Sequence, residues 1–96
     1  MVSVLELYVL PGSEEAVARA YDELGIFERS RESGGFLGGR LLRPVGGEPG
    51  VLVVAEWEGP ADYRGWLDNP VREELGRRLG PLLDGDVEAG ELFEEC

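Results

Sequence analysis

Residues 36–57, FLGGRLLRPVGGEPGVLVVAEW, are the stretch that decides the fold predicted for this chain. Two runs of matching length, 36–43 and 50–57, are joined by the turn-forming segment Pro44–Pro49, and this arrangement predicts a β-hairpin. Both alternating sets of the second run are apolar, with Val51, Val53 and Ala55 on one face and Leu52 and Val54 on the other. A strand of this kind is normally covered on both faces.

The segment before the hairpin predicts one strand and one interrupted helix. Residues 2–10, VSVLELYVL, are again apolar on both alternating faces and stop at the turn signal Pro11-Gly12. Ser13 is predicted to cap the helix that follows. Gly25 interrupts the apolar stripe of that helix, and a second helical stretch is predicted to run to about Glu32.

The segment after the hairpin predicts a bent helix and a last strand. Gly59-Pro60 and Asn69-Pro70 each place a proline where a helix begins, so two helical segments are expected to meet at a bend. Gly80-Pro81 ends the second one, and residues 86–93, DVEAGELF, predict a weak strand. The order is β-α-β-β-α-β, which predicts a single α+β domain over residues 1–96. Its fold would be ferredoxin-like, a four-stranded antiparallel sheet with the helices on one face.

The uncovered face of that sheet predicts a partner. The strands predicted over residues 2–10 and 50–57 are apolar on both faces, yet right-handed connections place every helix on the same side. In so short a chain a second copy, packed sheet to sheet about a two-fold axis, is the simplest cover. We therefore expect a homodimer.

Composition narrows the classes of partner and compartment. Twenty acidic residues against nine basic ones give a net charge of −11, which disfavours nucleic acid and anionic membranes as partners. No apolar run approaches the roughly 20 residues of a membrane helix. The first residues lack the basic segment of a signal peptide. The single cysteine, Cys96, has no intrachain disulfide partner, so a cytoplasmic protein is expected.

The absence of histidine removes several kinds of site. Haem held by a proximal histidine, histidine-containing zinc sites and Ser-His or Cys-His nucleophiles are not available within this chain. The acidic residues Asp84, Asp86, Glu88 and Glu91 are interpreted as background in an acidic chain, not as metal ligands. No cofactor and no metal are expected.

Residues 51–83 resemble the antibiotic-biosynthesis monooxygenase (ABM) family. Members typically end a strand in Glu-Trp, here Glu56-Trp57, and carry an aromatic residue and Trp-Leu on the next helix, here Tyr63 and Trp66-Leu67. The first strand followed by Pro-Gly-Ser-Glu-Glu, and the Gly-Phe-Leu-Gly-Gly-Arg-Leu-Leu segment, also fit. The resemblance implies a dimeric α/β barrel with a pocket between sheet and helices in each subunit. Some members oxidise aromatic polyketides with O₂ and no prosthetic group, and others degrade haem.

The haem-degrading branch fits this sequence poorly. It pairs a tryptophan on the second helix with a histidine about three turns further on and an asparagine on the first strand. Trp66 matches the tryptophan, but the histidine position falls near Gly76 and the first strand has no asparagine. Haem degradation is therefore not expected.

The expected function is a cofactor-independent monooxygenase acting on an aromatic, polyketide or quinol-type molecule. Such an enzyme holds a substrate enolate or phenolate in a dry site with a few hydrogen-bond donors. The residues predicted to surround the substrate are Trp66, Asn69, Tyr63 and Arg72. The predicted pocket walls are Leu7, Phe27, Phe36, Trp57 and Leu75, and Tyr21 is a further candidate for the aromatic wall. Arg40, Arg64 and Tyr8 are additional candidate donors.

Several of these residues have structural alternatives. Trp57 also suits the core, Asn69 a helix cap and Arg72 the surface. Gly38 and Gly39 indicate a bulge in the strand or room beside a pocket.

Two other functions stay open. One is a non-catalytic dimer that binds a small molecule or serves as an accessory protein. The other is a cyclase or isomerase that uses Glu6 or Glu56 as its base, since both stand near the middles of neighbouring strands. The structural interpretation pairs these carboxylates with Arg40 or Arg43 on the dimer face.

Overall fold

A computed structural model describes residues 1–85, 87 and 89–96 of the chain. The strands are β1 (Val2–Leu7), β2 (Phe36–Leu42), β3 (Val51–Trp57) and β4 (Glu91–Phe93). The helices are α1 (Glu14–Glu23), α2 (Ile26–Ser33), α3 (Pro60–Leu67) and α4 (Val71–Leu79), and a 3₁₀ turn spans Gly80–Leu82. The strands form one antiparallel sheet in the order β2-β3-β1-β4, so the predicted ferredoxin-like arrangement is confirmed.

The helix boundaries follow the predicted signals except at the first cap. Gly25 has a φ of 62°, a left-handed conformation that suits glycine and separates α1 from α2. Pro60 stands in the first turn of α3, as predicted. Ser13 occupies the N-cap position of α1, as predicted, but its side chain makes no capping hydrogen bond. Its backbone carbonyl still accepts the first bond of the helix, from the N–H of Val17.

Two strands, β1 and β4, are shorter than predicted by three residues or more. β1 ends at Leu7, and the chain beyond it pairs with residues 82–84, at the end of the 3₁₀ turn. There the N–H of Leu10 donates to the Leu82 carbonyl at 3.0 Å, and Val9 lies opposite Leu83. The predicted last strand over 86–93 is confirmed only for Glu91–Phe93, while Asp86 and Glu88 lie outside the described residues.

The inner face of the sheet forms the core beneath the helices. Leu7, Val51, Val53, Ala55 and Trp57 are all buried there. β2 shifts its register between Phe36 and Gly38, directly before the two glycines for which a bulge or room beside a pocket was predicted. The next residue, Gly39, makes room for Phe27 of α2, because a Cβ at Gly39 would lie 2.6 Å from the Phe27 ring. This close approach is what brings α2 down onto β2.

The outer face carries the two strand carboxylates, but far apart. Glu6 pairs with Leu52 and Glu56 pairs with Val2, so the two stand at opposite ends of the β1–β3 ladder, both exposed. Four residues of strand separate these positions, about 13 Å. The expectation of neighbouring carboxylates was therefore wrong, because it took β1 and β3 as adjacent without knowing their register. Arg43 lies 4.0 Å from Glu15 of α1 and so pairs with neither.

The same outer face leaves large apolar side chains exposed. Four large side chains, Tyr8, Leu42, Leu52 and Phe93, are between 36% and 59% exposed, and none of the described helices covers them.

None of the helices described here has the length and apolar character needed to cross a lipid bilayer.

Candidate functional site

A cavity of about 750 Å³ lies between the inner face of the sheet and the helices. All nine residues predicted from the sequence as site or wall residues border it, namely Leu7, Phe27, Phe36, Trp57, Tyr63, Trp66, Asn69, Arg72 and Leu75. The fold thus brings together side chains from several strands and helices. The roles assigned to them remain predictions.

Aromatic rings form a continuous wall along this cavity. Tyr21, Phe27, Phe36, Trp57 and Tyr63 follow one another with centroid separations of 5.3 to 5.7 Å. Trp66, which is 7% exposed, adds a sixth ring to the lining. Contiguous rings offer a planar apolar molecule a large contact area.

Trp57 belongs to the core as well as to the wall. It is 2% exposed, and its indole N–H donates a 3.0 Å hydrogen bond to the Ser3 hydroxyl on β1. A buried indole N–H requires such an acceptor. Trp57 is therefore a core residue, as the alternative interpretation proposed. Its hydrogen bond to Ser3 fixes the ring at the cavity surface.

Tyr63 ties α3 to the chain just before β4. The Gly90 N–H donates to the Tyr63 hydroxyl oxygen at 2.8 Å. A Cβ at position 90 would lie 2.9 Å from that oxygen and 2.8 Å from the Val4 carbonyl, so only glycine fits there without movement. The hydroxyl acts as an acceptor here, and it donates none of the side-chain hydrogen bonds found among the described residues.

Asn69 caps α4, as its structural alternative proposed. Its side-chain carbonyl accepts a 3.0 Å hydrogen bond from the N–H of Val71. The side-chain NH₂ group is a separate donor, and Asn69 also borders the cavity. The cap therefore fixes the side chain without using its donor capacity.

Arg72 is the half-buried cation of the cavity. Three other charged residues of the described lining, Asp68, Glu73 and Arg77, are exposed. Within the described part of the chain, no carboxylate oxygen lies within 4.0 Å of the Arg72 guanidinium. A partly buried positive charge thus borders the cavity beside its aromatic wall.

Tyr21 is the polar group that the sequence analysis missed, because it was considered only as part of the aromatic wall. Burial raises the pKa of Tyr21 to about 12, while the nearby charge of Arg72 opposes this rise and Tyr63 adds to it. The hydroxyl is therefore protonated at neutral pH. Tyr21 stands four residues after the fully buried Val17, on the apolar face of α1. This spacing is the sequence signal that could have indicated a buried hydroxyl group.

Three candidate donors do not reach the cavity. Arg40 and Tyr8 lie on the outer face of the sheet and Arg64 is exposed on α3, so none of them is part of the lining. No cluster of three or more potential metal ligands occurs in the part of the chain that the structure describes.

Comparison with known proteins places these features in a family context. The family model described as antibiotic biosynthesis monooxygenase matches residues 1–77. A mycobilin-producing haem oxygenase of Mycobacterium tuberculosis is 41% identical over 54 residues. That match covers 55% of this chain and only 51% of the relative, so the chain matches about half of that protein.

Two solved structures resemble the whole chain. A monooxygenase from the gene ActVA-Orf6 of Streptomyces coelicolor, in complex with nanaomycin D, is 25% identical with a TM-score of 0.75, covering 98% of this chain and 91% of the other. A variant of MhuD with two manganese protoporphyrin IX molecules per active site is 28% identical with a TM-score of 0.69. It covers 99% of this chain and 96% of the other.

Proposed function

Since the chain belongs to the antibiotic biosynthesis monooxygenase family, we propose that it oxidises a planar aromatic or quinol-type molecule with O₂ and without a prosthetic group. The observation that carries this proposal is the cavity of about 750 Å³, in which the half-buried Arg72 faces a wall of aromatic rings. An apolar space with a few converging polar groups is the usual form of a small-molecule site.

The chemistry follows from what such a site does to an acidic substrate. Next to Arg72, an enol or phenol loses its proton more readily, because the cation stabilises the anion. The electron-rich anion can then reduce O₂. For an anthrone-type CH₂ group the balanced outcome is a carbonyl group and one water, with one oxygen atom of O₂ in each product.

The other predicted residues would position that anion. Trp66 and the aromatic wall hold the ring plane, and the free donors of Tyr63 and Asn69 lie among the groups lining the same space. Fixed donors around a developing charge lower the barrier without reorganising solvent.

Haem fits this donor set less well than a small aromatic molecule does. Haem iron is held in proteins by histidine, cysteine, methionine or tyrosine. The chain has no histidine, and its single methionine and single cysteine are Met1 and Cys96, which do not border the described cavity. Two tyrosines border the described cavity. Tyr63 already accepts a hydrogen bond from Gly90, and burial raises the pKa of Tyr21 to about 12, which disfavours the phenolate that would bind iron. We therefore do not propose haem as the substrate.

The cyclase or isomerase alternative lacks its proposed catalytic base in the cavity. Glu6 and Glu56 are exposed on the outer face and do not line the cavity, so neither lies where a substrate in the cavity would meet it. A non-catalytic binding protein would use the same cavity, and it is distinguished by the experiment below.

We further propose that two copies pack through the outer faces of their sheets. That face carries the exposed apolar residues Tyr8, Leu42, Leu52 and Phe93. It also carries Arg40 together with the carboxylates Glu6 and Glu56, so a two-fold arrangement can bring opposite charges together. An exposed apolar patch rimmed by charges is typical of an interface.

Oxygen uptake tests the function. The protein is mixed with a panel of anthrones and quinols, and O₂ consumption is compared with that of the free compounds. We expect consumption with at least one compound, and a lower rate with Trp66→Ala. If no compound is oxidised but one raises the melting temperature, the binding function replaces the oxygenase. Loss of haem absorbance in the presence of a reductant would instead overturn the choice of substrate class.

A further inference from the structure

Tyr21 leaves a hydrogen-bond donor unused at the cavity surface. Its side chain is 8% exposed and borders the cavity. None of the side-chain hydrogen bonds among the described residues involves its hydroxyl. Since no fully buried side-chain polar atom in the described ranges lacks a partner, the hydroxyl oxygen of this cavity-lining residue keeps some accessible surface. A hydroxyl group on a side chain this enclosed normally has a hydrogen-bond partner, and a ligand in the cavity can supply the acceptor atom.

The second donor of this region is the guanidinium of Arg72. Tyr21 comes from α1 and Arg72 from α4, and both side chains border the same cavity. The charge of Arg72 also opposes the rise in the pKa of Tyr21, which agrees with this placement. The lining residues Asp68 and Glu73 are exposed, whereas Arg72 is half-buried. A neutral O–H donor and a cation therefore border one cavity, most of whose lining side chains are aromatic or aliphatic.

We propose that Tyr21 donates a hydrogen bond to the ionised oxygen of the ligand that Arg72 neutralises. The cavity then selects planar aromatic molecules with an acidic ring hydroxyl over uncharged molecules of the same shape. This inference rests on the proposed function, because it assumes that the cavity binds a planar aromatic molecule. Hydrogen bonds to a charged oxygen are about twice as strong as neutral ones, which is why the anion gains most from this pair of donors.

The test compares two ligands that differ in charge but hardly in shape. 2-Hydroxy-1,4-naphthoquinone is ionised at neutral pH, and 2-methyl-1,4-naphthoquinone is not. Binding is followed by quenching of tryptophan fluorescence, since Trp57 and Trp66 both border the cavity. The variant is Tyr21→Phe, which removes only the hydroxyl. Tyr8→Phe is the matched control, because Tyr8 is 59% exposed on the outer face.

We expect the wild type to prefer the hydroxyquinone. Tyr21→Phe should lose about tenfold in affinity for it, with affinity for the methylquinone almost unchanged. Tyr8→Phe should behave as the wild type. If Tyr21→Phe keeps the wild-type preference, this inference is overturned while the proposed function stands. If the wild type binds neither quinone, the proposed function fails and this inference fails with it.

A measurement on the wild type keeps the inference testable if Tyr21→Phe does not fold. The visible absorbance of the hydroxyquinone reports its ionisation, so bound and free ligand are titrated with acid. Two donors on the ionised oxygen should hold the pKa of the bound ligand below that of the free ligand. Equal pKa values for the bound and the free ligand would overturn the inference.

Discussion

Arg72 is the side chain on which the proposed chemistry depends most. It is half-buried in a cavity lined mainly by aromatic and aliphatic groups, where a charge interacts more strongly than in water. Its neighbours on α4, Glu73 and Glu74, are both exposed. Neither forms an ion pair with Arg72, so the guanidinium can interact with a ligand.

Replacing Arg72 by Met should lower kcat/KM for an ionisable aromatic substrate roughly 10- to 100-fold, because a hydrogen bond to a charged group contributes about 1.5–3 kcal/mol. Methionine keeps much of the apolar stem. Arg64→Met is the control, since Arg64 is exposed and does not line the cavity. Steady-state oxygen uptake measures both, and equal losses in the two variants would contradict the role given to Arg72.

Tyr21 also predicts a pH dependence of stability. Its pKa is about 12 in the folded protein, against the ordinary tyrosine value of 10.0 that applies to the unfolded chain. The unfolded state therefore releases this proton first, and stability present below pH 10 is lost as the pH rises towards 12. Between pH 9 and pH 11 the free energy of unfolding should fall by about 1 kcal/mol through this residue.

Urea unfolding at the two pH values checks this. The loss in Tyr21→Phe should be smaller than that of the wild type by this amount. The two proteins differ only by the Tyr21 hydroxyl, so the difference between their losses isolates the contribution of this group. An identical loss in both proteins would show that the hydroxyl is not buried as described.

At the scale of elements, the contact between α2 and β2 shapes the cavity wall. The Phe27 ring lies against Gly39 and stacks on Phe36 with a centroid separation of 5.7 Å. The irregularity between Phe36 and Gly38 brings Gly39 opposite Ala55 of β3. Because Gly39 has no side chain, α2 can pack closely against β2 at this point.

Gly39→Ala should therefore destabilise the fold by about 1–3 kcal/mol, because the new methyl group overpacks the Phe27 ring. Gly38→Ala is the control on the same strand, since a Cβ there meets nothing within 4 Å. Chemical denaturation gives both values. If Gly38→Ala lowers the free energy of unfolding as much as Gly39→Ala does, the destabilisation comes from the strand conformation and not from the contact with the Phe27 ring.

At the scale of the whole molecule, the sheet divides the protein into two surfaces of different use. The inner face and the helices enclose the cavity, and the outer face leaves Leu42, Leu52 and Phe93 exposed. Under the proposed dimer, binding and association use opposite sides of one sheet, so one can be altered without the other.

Leu52→Glu should weaken the proposed dimer by about 100-fold or more, because it places an unpaired charge in an apolar contact on both copies. Ala18→Glu on α1 adds the same charge at an exposed helical position and should leave association unchanged. Sedimentation over a range of concentrations measures both. A wild type that sediments as a single chain at every concentration would refute the dimer.

Local chemistry made most of the architecture predictable. Turn residues such as Gly25 and Pro60 mark the element boundaries, and alternating apolar residues mark the faces of the strands, because both depend on neighbours a few positions apart. The same patterns placed the predicted wall residues on inward-facing positions. Ser13 shows the limit of such reasoning, since its side chain leaves the predicted cap unmade.

The sequence by itself determined the order of the elements, the faces they bury and the kinds of side chain available to a site. Only the tertiary structure decided which of them meet. Glu6 and Glu56 are separated because strand register depends on the assembly of the whole sheet. Tyr21 and Arg72 share a cavity because α1 and α4 pack on the same face, a convergence of residues about fifty positions apart that no local pattern encodes.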